Sequence, residues 1–137
     1  MSYRHIDPEA LGPPRGWTNG MLSPVGGRVL FVAGQDAVGP DGEMASDDFT
    51  EQFAAALAKS MSVVAEAGGS APDIGRMTIY VTEIETYRAR RAEIGQVYRE
   101  RMGSHFPAIS LVEVTRLVDP RAKVEIEVTA IITDGGA

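Results

Sequence analysis

Apolar and polar positions along the chain repeat with two different periods. Arg28-Val29-Leu30-Phe31-Val32-Ala33-Gly34 is an apolar, β-branched run that predicts a buried strand. Gly39-Pro40-Asp41-Gly42 follows it with turn residues. From Phe49 the period changes. Phe49, Phe53, Ala56, Leu57, Ser60, Val64 and Ala67 recur at spacings of three and four, which draws one stripe along a helix. Ser46 or Asp47 is placed to cap its start, and Gly68-Gly69 to end it. Beyond the Ala71-Pro72-Asp73 loop, Met77-Thr78-Ile79-Tyr80-Val81 predicts a second buried strand. A second helix is predicted over about residues 85–101, with Tyr87, Ile94, Val97 and Tyr98 turned inward. Residues 106–117 and 123–132 predict a final pair of long strands joined by a turn at Val118-Asp119-Pro120-Arg121.

The resulting order is strand, helix, strand, helix, strand, strand. It predicts an α+β, two-layer domain: a mixed sheet with two helices on one face. Residues 1–20, with Pro8, Gly12, Pro13, Pro14 and Gly16, are expected to form an irregular arm of a single domain over 1–137. Alternation along the last strand puts Val124, Ile126, Val128, Ala130 and Ile132 towards the helices, and Glu125, Glu127 and Thr129 on the other face. The same rule, phased on the preceding strand, sends Ala108, Ser110 and Val112 towards the helices and Ile109, Leu111, Glu113 and Leu117 outward. With Val29 and Phe31 those residues make an apolar outer face too large for water, so a second copy of the chain is expected to cover it.

Composition narrows the chemistry. There is no cysteine, which removes disulfides, thiolate metal sites and cysteine nucleophiles. The lack of a secretory leader and of any run near the roughly 18 apolar residues of a membrane span points to a cytoplasmic protein with no membrane partner. A net charge of −6 argues against non-specific nucleic-acid binding. The two histidines, His5 and His105, lie in no metal-binding motif, so no metal is expected.

Several ordered motifs resemble the YjgF/RidA family, also called L-PSP or enamine/imine deaminases. They are Phe31-Val32-Ala33-Gly34-Gln35 with Gly42-Glu43, then Ala65-Glu66-Ala67-Gly68-Gly69, then Thr78-Ile79-Tyr80-Val81. The closest stretch is Phe106-Pro107-Ala108-Ile109-Ser110-Leu111-Val112-Glu113-Val114, followed by Val124-Glu125-Ile126-Glu127. The resemblance implies a chorismate-mutase-like fold and a homotrimer with small-molecule pockets between subunits. It also implies hydrolysis of reactive imines and enamines without a metal or organic cofactor.

On that resemblance Glu125 is the catalytic candidate, and Trp17, Ala33, Gln35, Ile109 and Ser110 are the substrate-binding candidates. The family's carboxylate-binding arginine is Ile109 here, its serine is Ala33, and Trp17 lies nearest its tyrosine. Isoleucine offers a carboxylate no hydrogen bond. The expected function is therefore a RidA-like hydrolase that differs from the standard 2-imino-acid deaminase. The alternative is a non-catalytic protein binding a neutral or apolar metabolite, and a third possibility is an endoribonuclease. Trp17 reads equally as a lid over the ligand or an anchor for the arm. Glu113 and Glu127 read as structural charges, and Arg88, Arg90, Arg91, Arg99 and Arg101, interleaved with acids, as a solvated and partly ion-paired face.

Overall fold

The computed structural model describes residues 2–133; Met1 and residues 134–137 of the expected domain lie outside them. In chain order the elements are β1 (Arg4–Ile6), β2 (Gly20–Leu22), β3 (Arg28–Gln35), α1 (Phe49–Glu66), β4 (Ile74–Val81), α2 (Ile84–Ala89), α3 (Arg91–Met102), β5 (Ala108–Glu113) and β6 (Val124–Ile132). β3, β6, β4 and β5 form one mixed sheet in that order. Only the β4–β5 pair is parallel.

The alternation of β6 appears as predicted: Val124, Ile126, Val128, Ala130 and Ile132 are buried, and the residues between them are half-buried. The α1 stripe lies on this face, with Phe53, Ala56, Leu57 and Val64 sealed against β6 and β3. Ile94, Tyr98 and Met102 of α3 complete the same core. The helix is capped by Asp48, whose carboxylate accepts from the Glu51 N–H at 3.0 Å, rather than by Ser46 or Asp47. Ala67 is the C-cap residue and is exposed, so the stripe ends one turn early.

Four expectations need correction. The arm is not wholly irregular, because β1 and β2 pair antiparallel from Arg4↔Leu22 to Ile6↔Gly20. The Asp7 carboxylate fixes the loop between them, accepting from the Asn19 N–H at 2.7 Å and the Thr18 hydroxyl at 3.2 Å. The second helix is two helices, broken at Arg90, whose guanidinium is tied to Asp48 at 2.7 Å. No proline or glycine marks that break in the sequence. β5 stops at Glu113 instead of 117 because β4, its only neighbour in the sheet, turns away after Val81. Finally, β5 and β6 do not pair: β6 enters between β3 and β4.

Gln52 is the polar residue that ties these pieces together. It is fully buried on α1, a position the apolar stripe does not reveal. Its Nε2 donates to the Ser46 and Arg121 carbonyls at 2.8 and 3.1 Å, and its Oε1 accepts from the Lys123 N–H at 2.7 Å. A Gln52→Leu substitution keeps the volume but strands three partly buried backbone groups. It is expected to lower unfolding free energy by about 2–4 kcal/mol, read as a lower urea midpoint at unchanged slope. An unmoved midpoint would show that water replaces the bonds without cost.

Candidate functional site

The register of β4 decides which side chains share a face. Residues paired side by side across a sheet point the same way. β5 runs beside β4 with Met77↔Ile109, Thr78↔Ser110, Ile79↔Leu111 and Val81↔Glu113. Met77, Ile79 and Val81 are buried beneath the helices, so Ile109 and Leu111 lie on the helix side and pack against the core. β6 pairs with β4 through Thr78↔Glu127 and Tyr80↔Glu125. Glu125 and Glu127 therefore share the open face with Thr78, Tyr80, Ser110 and Val112. The predicted phase of β5 is inverted by one residue, and Ile109 and Glu125 stand on opposite faces of the sheet.

On the open face, Glu125 lies flat against bare backbone. A Cβ on Gly34 would stand 2.6 Å from its Oε2 and 2.8 Å from its Cδ, so only glycine permits this seat. A register shift between Val32 and Gln35 reshapes β3 at that point, as bulges beside functional side chains do. Partial burial pushes the Glu125 carboxyl above its ordinary range, and the charges of Asp36 and Glu127 add to the shift. Beside it, the Tyr80 hydroxyl donates to Glu127 Oε1 at 2.8 Å, a bond that raises the tyrosine pKa. Arg76 Nη2 reaches Ser110 Oγ at 3.4 Å. Phe31, 79% exposed, and Val29, 53% exposed, form the apolar part of this face. Ala33 lines the same depression as Phe31, Tyr80 and Glu127. Gln35 turns back on its own strand, its Nε2 donating to the Ala33 carbonyl at 3.0 Å.

A second concavity opens on the helix side, between the arm, α3 and the outer strand β5. Its volume is about 390 Å³. Ile109, Leu111, Ile94, Tyr98 and Phe106 make the floor, and Trp17 and Tyr87 stand among the walls. Tyr98 and Phe106 are stacked with ring centroids 4.9 Å apart. Burial raises the Tyr98 pKa, and its hydroxyl donates to the His105 carbonyl at 2.7 Å. His105 itself bonds the Ile74 carbonyl through Nε2 at 2.7 Å, a structural contact. Arg15, Arg91 and Arg99 also line this pocket, and among the described residues no acidic one does.

The sequence candidates thus divide into two groups. Glu125, Ala33 and Ser110 belong to the open face; Gln35, paired with buried Ile126, falls on the other side of the sheet; Trp17 and Ile109 belong to the helix-side pocket. Glu113 shares the Ile109 side as expected, but its carboxylate accepts from the Ile84 N–H at 3.1 Å and so holds the first turn of α2. Of the five clustered arginines, Arg88 pairs with Glu85 and Arg90 with Asp48. Tyr80, Gly34 and the pocket arginines were not singled out as site residues, because their roles depend on strand pairing and arm placement. Among the described residues no group of three or more His, Cys, Asp or Glu is arranged to hold a metal, and no helix is long and apolar enough to cross a membrane.

Known proteins share this architecture. Residues 10–132 match the family described as Endoribonuclease L-PSP. A RutC family protein of Pyrococcus horikoshii is 34% identical over 77% of this chain and 79% of its own length. The 2-iminobutanoate/2-iminopropanoate deaminase of Salmonella typhimurium is 30% identical over 77% of this chain and 80% of its own. The solved structure of the Rid-family protein YyfB of Yersinia pestis has a TM-score of 0.80 at 32% identity, covering 96% of this chain and 100% of that one. The motif order, the mixed sheet under its helices and these likenesses agree: the chain belongs to the YjgF/RidA (L-PSP) family.

Proposed function

We propose that the chain is a hydrolase of imines or enamines, working as a homotrimer of chorismate-mutase-like subunits with one pocket at each subunit seam. The observation that carries this is the seat of Glu125, a carboxyl held on glycine backbone with a raised pKa and no ion-pair partner among the described residues. Such a group suits proton transfer. Family membership and the deaminase relative support the reaction class.

The chemistry is redox-neutral. Glu125 takes a proton from water as the water oxygen bonds to the imine carbon, and the nitrogen gains a proton. As the carbinolamine hydroxyl gives a proton to Glu125 and the nitrogen receives one, the C–N bond breaks, ammonia leaves with the electron pair, and a carbonyl remains. Hydrolysis of an enamine passes through the imine tautomer.

Glu125 and the helix-side pocket lie on opposite faces of one sheet, so one ligand meets both only across a seam between copies. Placing the β5 edge of one subunit over the open face of the next would also cover Phe31 and Val29. The expectation of a neutral ligand rested on Ile109 in place of the arginine, and Ile109 lies on the face of the sheet opposite Glu125.

Ammonia release from imines generated in situ tests the proposal. Acceleration by catalytic amounts of protein, with a saturating dependence on imine, is expected. Saturable ligand binding with no acceleration for any imine would favour the non-catalytic alternative.

A further inference from the structure

The helix-side pocket has a charge pattern that the chain as a whole does not. The protein carries a net charge of −6, yet among the described residues the only charged ones lining this cavity are Arg15, Arg91 and Arg99. They come from three places, the arm and the two ends of α3. Among the described residues none of the three makes an ion pair, whereas neighbouring Arg88 and Arg90 both do. Three guanidinium groups gathered at one opening repel one another unless an anion joins them. Beneath them the floor is apolar and aromatic.

Gly95 fits the same pattern. It lies in the interior of α3, where glycine is unfavourable, and lines the cavity. A Cβ there would meet Arg99 Nη1 at 3.2 Å. The missing side chain keeps both the space and the guanidinium position open.

We propose that this pocket binds an organic acid with an apolar, preferably aromatic, body. Arg91, Arg99 and Arg15 hold the carboxylate, and Ile109 widens the floor that receives the body. Replacement of the family's arginine by Ile109 then moves anion recognition to the arm and α3 rather than removing it. A guanidinium fork suits a carboxylate, and a volume of about 390 Å³ lies within the usual range for small-ligand pockets. The proposal deepens the hydrolase reading and rests on it for the ligand's fate, although binding itself needs no catalysis.

Trp17 is the single tryptophan and lines the pocket, so its fluorescence reports on occupancy. The probes are 3-phenylpropanoate and its uncharged amide, titrated into the full-length protein. The acid is expected to bind at least about tenfold more tightly than the amide. Arg91→Gln and Arg99→Gln should each weaken the acid by about tenfold or more and leave the amide unchanged. An Arg15→Gln, Arg91→Gln, Arg99→Gln triple variant should erase the preference while its thermal midpoint stays near native. Equal binding of acid and amide, a preference that survives in the triple variant, or no binding of either probe would each overturn the proposal. Retained acid preference with no imine turnover in the native protein would count against the hydrolase alone, and turnover without acid preference against this pocket assignment alone.

Discussion

Glu125→Gln is expected to lower imine turnover by about 10²–10⁴-fold while the protein stays folded and assembled. The amide has nearly the shape of the carboxyl and fits the same seat over Gly34. It cannot accept and return a proton. A variant that keeps near-native turnover would remove Glu125 from the chemistry.

The pH profile gives a second readout of the same group. As a base Glu125 works only when ionised, so kcat/KM should fall as pH drops through its pKa. That pKa is raised by burial first, then by Asp36 and Glu127, so the acid limb should lie above that of a free glutamate. Asp36→Asn removes one negative neighbour and should move the limb to lower pH. Movement upward would contradict this electrostatic assignment.

Gly95→Leu should separate stability from function. Leucine suits a helix interior better than glycine by about 0.5–1 kcal/mol, so the unfolding midpoint should hold or rise. Its Cβ meets only the far end of the flexible Arg99 side chain, at 3.2 Å, and the backbone need not shift. The rest of the side chain enters the pocket and displaces the ligand. Turnover should fall by about a hundredfold, the scale of a small misplacement of the reacting groups. Unchanged turnover would place the ligand elsewhere; a collapsed midpoint would mean that α3 does not tolerate the side chain.

The fold was legible wherever one alternation or stripe was plainly apolar. β6 has five apolar residues in phase against Glu125, Glu127 and Thr129, and the α1 stripe runs unbroken for four turns, so both declared their buried faces. β5 did not. Ile109, Leu111 and Glu113 alternate with Ala108, Ser110 and Val112, and each set mixes apolar with polar residues. Its phase is fixed only by the parallel pairing with β4, a long-range contact invisible to local pattern. That one-residue inversion moved Ile109 from the face of Glu125 to the helix side.

The site was legible in part for the same reason. Glu125 and Glu127 were placed together because they lie on one strand of clear phase. Gly34 looked like part of a motif, and its role as the seat for Glu125 appears only when β3 and β6 pair. Arg91 and Arg99 are exposed, and Arg88 and Arg90 are ion-paired, as the interleaved charges predict. That Arg91 and Arg99 also line a pocket follows only from the placement of the arm and β5 beside α3. Trp17 and Arg15 depend on an arm held by Asp7, a contact spanning a loop of prolines and glycines.

The central claim is a site shared by two copies of the chain, and subunit complementation tests it most directly. Glu125→Gln and Gly95→Leu chains are co-expressed with different tags, and hybrid oligomers are isolated and their composition checked by native mass spectrometry. Each parent should be nearly inactive. In hybrid trimers of either composition, a native pocket from one chain meets a native Glu125 from its neighbour at about one seam in three, so roughly a third of native activity should return. Hybrids no more active than their parents, or a protein that remains monomeric at working concentrations, would contradict the shared site.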